Sequence, residues 1–439
     1  FFSLKNQLLT DVIMRSPETA GWNVVLKRQR QSLDPNRVKS RKRRVIHTQV
    51  IANKRKKRLF RAQIKELQRR ISSHSSVQKC GLNPIPLQDH LLLKTKKNNR
   101  GGWGGLQTCG SKSCVDCQVS SRMAAMEKAD AILKEVEFMG GESLMITSTC
   151  SNKGKNLKEQ IDVLQAVYQA FFKSKWRVDL LKGLGYIGKI SALEVMINKE
   201  KEQFHPHVHS TWAFDRKLTD EEIEKITGLF KVFWVKAMEK RKFDAAASSQ
   251  DVRRANAGAG EYATKGVAAE ITMGDMKTGK RGSVTWYGLL LEIYSAKKED
   301  DEEEYDRLVS LYHAYERGVY NRNFINTSPA LKALSSELPE PEASEEDGEK
   351  EDTIVVPLAV FKAMKDLRIH HLAPTILAFD EPKRLIFKDF CDEEMGASYK
   401  WPRRDRECVY TYLKIRLREI FGDDICGKSI WKQSVVLKI

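Results

Sequence analysis

The sequence predicts an α+β protein with a central antiparallel sheet and flanking helices. Between residues 121 and 265 the hydrophobic periodicity changes in the order helix, strand, helix, strand, strand, helix, helix. A polar run at residues 198–203 separates two apolar segments, which is typical of a hairpin loop. A split βαβ arrangement accommodates this order. Because 41% of the 439 residues are hydrophobic, a wholly disordered or fibrous chain is excluded.

The first three elements of this domain follow from apolar spacing and from stop signals. Residues 126–136 repeat apolar side chains at helical intervals, and Gly140 and Gly141 end that helix. Residues 143–149 then have the composition of a short strand. Helical spacing returns between residues 157 and 171 and predicts the second helix.

The remaining elements are a hairpin and two helices. Residues 190–197 are apolar and β-branched, and residues 207–214 form the second strand of the predicted hairpin. Thr219 and Glu222 have the spacing of a capping box, so a helix begins there and continues through Trp234. A segment of small residues follows and predicts the last helix.

The positive charge is concentrated in one segment. The net charge is +18, and residues 27–70 alone hold 18 Lys and Arg against two acids, a net of +16. Nucleic acid is the natural partner of such an arm. Residues 337–352 are acidic and contain two prolines, as in a linker. We therefore predict a basic arm at 1–75, a cysteine-rich zinc-binding segment at 76–120, a catalytic domain at 121–336, an acidic linker at 337–353 and a small C-terminal domain of unassigned role at 354–439.

Two histidines on the second hairpin strand form a candidate metal site. His207 and His209 alternate with Val208, so their imidazoles share one face of the strand while Val208 points into the core. If residues 198–203 form the loop, Glu194 lies opposite His207. Two neutral imidazoles and one carboxylate suit a divalent catalytic metal. The alternative is a pair of histidines on an exposed face of the sheet.

Tyr262 is a candidate nucleophile. It is spaced i, i+3 from Lys265, so the two side chains share a helix face. A phenol with a pKa of about 10 is only ~0.1% ionised at pH 7, and a metal or an ammonium group can stabilise the phenolate. The alternative is an ordinary packing tyrosine, one of twelve in the chain.

These motifs, in this order, resemble the HUH endonuclease superfamily, and within it the plasmid rolling-circle replication initiator (Rep) proteins. The resemblance covers about residues 78–325 and includes Glu270 to Thr272 and Lys277 downstream. Its main stretches are Gly105–Ser111, Met145–Thr149, His205–His209 and Tyr262–Lys265.

The resemblance implies a fold, a site and a reaction. His207 and His209 would hold Mg²⁺ or Mn²⁺ against the scissile phosphate, with Glu194 as a third ligand. Tyr262 would attack single-stranded DNA, leaving a 5′-phosphotyrosine and a 3′-OH primer, and Lys265 would steady the phosphate or the phenolate. Some relatives carry a carboxylate one turn before the tyrosine, where this chain has Gly258, so the way it terminates replication stays open.

The cysteine-rich segment predicts a second metal site. Cys109, Cys114 and Cys117 have the spacing of zinc ligands. Cys80 precedes a glycine as in the resembled proteins and is the expected fourth ligand, with His90 as the alternative. Four ligands would close the coordination shell, so we expect a structural Zn²⁺. Ordinary reduced thiols are the other interpretation.

The expected partners are single-stranded and origin DNA, with a host replication helicase or polymerase beside them. No run of about 18 apolar residues is present, and the residues after Phe1 lack the features of a signal peptide, so we expect a cytoplasmic protein without a membrane partner.

For the basic arm at residues 1–75, the alternative to DNA binding is a solvated tail without specific contacts. The phosphate contacts are expected from its basic clusters, Arg41, Lys42, Arg43, Arg44, Lys54, Arg55, Lys56, Lys57 and Arg58.

Two other functions are compatible with the same residues. An HUH relaxase or single-strand DNA transposase would share the chemistry and differ in its DNA substrate. A noncatalytic zinc-containing DNA-binding regulator would use the cysteines and the basic arm, and its DNA binding would not depend on His207.

Overall fold

The computed structural model describes residues 55–96, 100–151, 156–255, 283–337, 352–397 and 406–422. The chain divides into two compact units, residues 1–58 and residues 59–439. In the first unit, the described residues 55–58 are helical. The sheets and the helices named below belong to the second unit.

The strands of the described residues form two antiparallel sheets. They are β1 (His90–Lys96), β2 (Arg100–Gly104), β3 (Glu142–Thr149), β4 (Tyr186–Asn198), β5 (Gln203–Phe214), β6 (Asp251–Arg254), β7 (Ser283–Val284), β8 (Ile325–Thr327) and β9 (Asp352–Pro357). The larger sheet has six strands in the order β6-β3-β5-β4-β7, with β8 also paired to β4. The smaller sheet has three strands in the order β2-β1-β9.

The helices lie between and after these strands. They are α1 (residues 59–71), α2 (Ser75–Lys79), α3 (Val115–Phe138), α4 (Leu157–Lys173), α5 (Lys175–Gly183), α6 (Asp220–Glu239), α7 (Trp286–Lys298), α8 (Glu302–Val319), α9 (Pro329–Glu337), α10 (Leu358–Asp366), α11 (Ala373–Phe379), α12 (Glu381–Ala397) and α13 (Arg406–Phe421). Together with the sheets they make an α+β architecture, as the sequence predicts.

Helices cover the two faces of the larger sheet differently. On one face, α4 and α6 bury the side chains of alternate β5 residues, and Trp212 contacts both Phe171 and Phe230. On the other face, α3 and α9 cover one end of the sheet, where Met145 and Ala192 lie in a smaller apolar cluster. His207 and His209 belong to this second face, because they alternate along β5 with Val208, which lies in the main core.

The local predictions for this domain are confirmed up to residue 255, and the last predicted helix lies outside the described residues. The predicted helices at 126–136 and 157–171 lie within α3 and α4, and the predicted hairpin is β4–β5. The capping box is present, because the Thr219 hydroxyl accepts from the backbone N–H of Glu222 and the Glu222 carboxylate accepts from the backbone N–H of Thr219. This reciprocal cap satisfies two backbone donors at the start of α6.

The smaller sheet joins two segments that are far apart in the sequence. β1 lies in the cysteine-rich segment and pairs with β9, so Leu91 faces Val356 and Leu93 faces Ile354. These four side chains are buried in one apolar cluster with helices α10 to α13. The C-terminal segment from residue 354 therefore shares its core with the hairpin β1–β2, a link that local sequence patterns do not indicate.

Membrane-spanning helices are not found in the described part of the chain. None of its helices combines the length and the apolar character needed to cross a bilayer.

Candidate active site and metal centre

The central strands of the larger sheet bring the three predicted ligands of the divalent metal together. The β4–β5 register places Glu194 opposite His207, as the loop position at 198–203 predicts. On the other side of β5, Thr149 lies opposite His207 and Thr147 lies opposite His209. Val208 is buried in the main core, so the alternation along β5 directs the two imidazoles to the opposite face.

His209 is held by hydrogen bonds at both ring nitrogens. Its Nε2 atom lies 2.7 Å from Oε2 of Glu194, and its Nδ1 atom lies 3.2 Å from the Thr147 hydroxyl. The N–H at Nε2 donates to the carboxylate, and Nδ1 accepts from the hydroxyl. A hydroxyl both donates and accepts, so Thr147 can hold this ring in either tautomer.

His207 has an available ring nitrogen. Its Nδ1 atom is buried and has no hydrogen-bond partner among the described residues. Burial, followed by the charge of His209, lowers the pKa of His207 to about 4. The ring is therefore neutral at pH 7, which is the form that binds metal. It lies nearly parallel to the His209 ring, with 6.2 Å between the ring centroids.

The three side chains are adjacent but do not form a closed ligand set. Within the described residues, the four cysteines are the one group of three or more metal-ligating side chains whose ligand atoms all lie within 4.8 Å of one another. His207, His209 and Glu194 do not meet this criterion, and the Glu194 carboxylate is hydrogen-bonded to His209. Their chemistry fits a divalent cation, since they supply two nitrogens and a carboxylate with open positions.

The other predicted catalytic residues lie outside the described residues. These are Tyr262, Lys265 and the position of Gly258. The segment that contains them, residues 256–282, is flanked by two described strands. Strand β6 precedes it and pairs with β3, and strand β7 follows it and pairs with β4. They lie at opposite edges of the larger sheet. Of the predicted DNA-binding residues, the group Arg41, Lys42, Arg43, Arg44 and Lys54 is also outside the description, and the group Arg55, Lys56, Lys57 and Arg58 lies in the helical end of the first unit.

Four cysteines form a group that could hold a metal ion such as zinc. The Sγ atom of Cys80 lies 3.6 Å from that of Cys117 and 3.7 Å from that of Cys114, and Cys109 lies 3.7 Å from Cys117. Tetrahedral zinc with Zn–S bonds of about 2.3 Å requires sulfur atoms about 3.8 Å apart. A disulfide would require about 2.05 Å, and these cysteines are free thiols. The donor set therefore fits Zn²⁺.

Local backbone geometry explains how the sequence gathers the thiols. Cys80 ends α2 and Cys114 is the N-cap of α3, where Cys117 follows on the first turn. Gly81 and Gly110, directly after Cys80 and Cys109, have φ of +71° and +60°. Glycine adopts this left-handed region without steric cost, so the chain turns sharply after each of these two ligands. His90, the alternative ligand, is partly exposed and hydrogen-bonded to Asp89.

Lys65 is a residue of this centre that the sequence does not reveal. Its side chain is 1% exposed, and its Nζ atom donates to Sγ of Cys114 over 2.9 Å. Burial lowers the pKa of Lys65, but Cys114, Asp116 and Cys80 together raise it by more, so the net pKa is raised. A buried ammonium here would balance part of the negative charge that the four cysteines would carry as thiolates bound to zinc.

Helix α1 is fixed to the cysteine segment by further polar contacts. Arg69 donates to the carbonyl of Cys80 over 2.9 Å, and Arg61 donates to the carbonyl of Val115 over 3.1 Å. Gln68 donates to the Ser113 carbonyl and accepts from the backbone N–H of Val115. The basic composition of residues 27–70 predicts solvated side chains. In the structure, several polar side chains of α1 are instead buried against the cysteine segment.

Comparison of the chain with protein-family models, with curated proteins and with solved structures finds no significant match.

Proposed function

We propose that this protein is a metal-dependent DNA-nicking enzyme of the HUH type that initiates rolling-circle plasmid replication. The observation that carries the proposal is the set of His207, His209 and Glu194 on two neighbouring central strands. The HUH-like fold belongs to the same proposal, and the antiparallel order of β3, β5 and β4 with helices on both faces supports it.

The metal-binding step depends on the three side chains and Thr147. Glu194 and His209, which are hydrogen-bonded to each other, would both hold the metal, and His209 would bind it through Nε2 in the tautomer that carries its proton on Nδ1. The Thr147 hydroxyl would then accept from Nδ1–H and keep the orientation of the ring. His207 contributes the ring nitrogen that has no partner. Bound Mg²⁺ or Mn²⁺ supplies Lewis-acid polarisation of the scissile phosphate.

Tyr262 is the proposed nucleophile. Its phenolate oxygen forms a bond to phosphorus as the bond to the 3′ oxygen breaks, and the 3′ oxygen gains a proton. The products are a 5′-phosphotyrosine and a 3′-OH that primes synthesis. Lys265 lies one turn away in the predicted helix and favours the charged phenolate or phosphate. A cytoplasmic location and DNA as the partner belong to this proposal, as does a host helicase or polymerase.

The test uses a randomised pool of single-stranded oligonucleotides, since selection for covalent adducts does not require the origin sequence. We expect the wild-type protein to form protein–DNA adducts in Mn²⁺, and a His207→Ala variant to form at least roughly 10–100-fold fewer. A His90→Ala variant is the matched control, because this histidine lies outside the site. Equal adduct formation by wild type and His207→Ala would contradict the proposed metal site.

A second candidate function is a DNA-binding regulator without nuclease activity. The observation in its favour is the four-cysteine group, which needs no catalytic partner to order a DNA-binding segment. It predicts selection of tightly bound DNA from the same pool without any adduct. A relaxase or single-strand transposase would form the adduct and differ in the sequence that the pool returns.

A further inference from the structure

A groove lies on the helical face of the larger sheet, opposite to the histidines. It has a volume of about 800 Å³ and runs between α5 and α6. Helix α6 packs on the face of the larger sheet that carries Trp212, where Phe230 of α6 contacts this tryptophan. The groove is therefore separate from the candidate active site.

The groove is positively charged. Its lining contains four cationic side chains, and no carboxylate is present among the described residues that line it. Lys236 lies in the last turn of α6 and Lys240 is the C-cap of that helix, and both are exposed and line the groove. Arg241 extends this row, and one of its N–H groups donates to the carbonyl of Ala237. An anionic chain that passes the C-terminal end of α6 would meet these three cations.

An aromatic ring stands beside these cations. Trp176 is 57% exposed in the first turn of α5. The guanidinium of Arg177 lies 5.4 Å from the Trp176 ring centroid and 4.2 Å from that of Phe233. Arg177 also donates to the carbonyls of Ala170 and Phe171 at the end of α4, which fixes its position. The indole is therefore supported by a fixed cation while more than half of its surface faces solvent.

We propose that this groove binds single-stranded nucleic acid. A base would stack on the exposed indole of Trp176, and the adjoining phosphates would contact Lys236 and Lys240. Each nucleotide combines a flat base with a negatively charged phosphate. The groove offers a complementary pair of features, an aromatic ring on which a base stacks and cations that attract the phosphates. An acidic peptide also complements the charge, but its carboxylates do not use the exposed indole face.

The binding test uses full-length protein and fluorescein-labelled oligo(dT) of 20 nucleotides, without divalent metal so that no cleavage occurs. Loss of base stacking in Trp176→Ala should weaken binding roughly 5- to 150-fold, and Trp176→Phe should restore part of it. Lys236→Gln combined with Lys240→Gln should reduce the slope of log affinity against log salt by about 1.4. Phe138→Ala is the matched control, because Phe138 is 86% exposed at the end of α3 and outside the groove.

A second readout locates the contact when other parts of the chain also bind DNA. Oligo(dT) containing 5-bromouracil should crosslink to Trp176, with the crosslinked peptide identified by mass spectrometry. The proposal is overturned if no crosslink maps to α5 or α6 and if Trp176→Ala binds within twofold of wild type. Binding of a polyglutamate peptide that depends on Lys236 and Lys240, without binding of oligo(dT) at this groove, would assign it to an acidic protein instead.

Discussion

The Nε2 atom of His209 lies 2.7 Å from the Oε2 atom of Glu194, across the β4–β5 hairpin. In the same hairpin Glu194 is the direct cross-strand neighbour of His207. One carboxylate is thus hydrogen-bonded to one imidazole and paired across the strands with the residue that carries the other, and both imidazoles belong to the same face of the sheet. This relationship is the structural basis of the proposed catalytic metal site.

Substitution of Glu194 tests whether its charge serves the metal. Glu194→Gln keeps the shape and can still hydrogen-bond to His209, but it removes the negative charge. Loss of a residue that only hydrogen-bonds to a metal ligand lowers metal affinity roughly 10–100-fold. Because Glu194 is a proposed ligand itself, we expect the Mn²⁺ affinity, measured by electron paramagnetic resonance, to fall by at least as much. Glu200→Gln, in the exposed hairpin turn, is the control. Unchanged Mn²⁺ affinity in Glu194→Gln would remove this carboxylate from the site.

The cysteine group predicts one zinc ion per chain. Cys114→Ser should lose the metal and lower the melting temperature, because the described apolar cluster around these cysteines is small and bound zinc would stabilise it. Cys150→Ser is the matched control, since Cys150 is a buried thiol away from the group and burial raises its pKa to about 12. Zinc content is measured by atomic emission on protein purified without added metal. Equal zinc content in the two variants would contradict the assignment.

Lys65 should tune the affinity of that centre. Lys65→Met fills a similar volume but leaves the Cys114 sulfur without its ammonium donor. We expect zinc affinity to fall roughly 10–100-fold in a chelator competition. Lys56→Met is the control, because Lys56 is exposed. If Lys65→Met and wild type compete equally with the chelator, the contact contributes only to packing.

A buried histidine predicts loss of stability in acid. His370 is 5% exposed, and neither of its ring nitrogens has a hydrogen-bond partner among the described residues. Burial, with the nearby positive groups of His371, Arg69 and Lys365, holds the pKa of His370 well below its usual value. The unfolded chain therefore binds a proton below about pH 6.5 that the folded chain does not, and stability falls as the pH decreases further, by at most about 1.4 kcal/mol per pH unit.

Urea unfolding at pH 7.5 and pH 5.5 measures this effect. His370→Leu should reduce the loss of unfolding free energy between the two pH values, because the unfolded variant has one proton fewer to bind. His90→Leu, at a partly exposed position, should keep the wild-type loss. An identical pH dependence in His370→Leu and wild type would show that the pKa of His370 is the same in the folded and in the unfolded chain.

The sequence predicts the local order of elements and the position of Glu194 because both depend on near neighbours. A polar run fixes the hairpin loop, and the loop fixes which residues of β4 and β5 face each other. The pairing of β1 with β9 is different, since Leu93 and Ile354 are 261 positions apart and no periodicity links them. The contact between Lys65 and Cys114 is likewise long-range, and a lysine in a basic segment gives no local sign of burial.

The central claim is that Tyr262 forms a covalent bond to DNA. The direct measurement is mass spectrometry of the peptide linked to DNA after incubation with the selected single-stranded oligonucleotide and Mn²⁺. The account predicts a 5′-phosphotyrosine on Tyr262, no adduct in Tyr262→Phe, and an unchanged adduct in the control Tyr320→Phe, where an exposed tyrosine is altered. An adduct of undiminished yield in Tyr262→Phe, or one that maps to another residue in the wild-type protein, would contradict it.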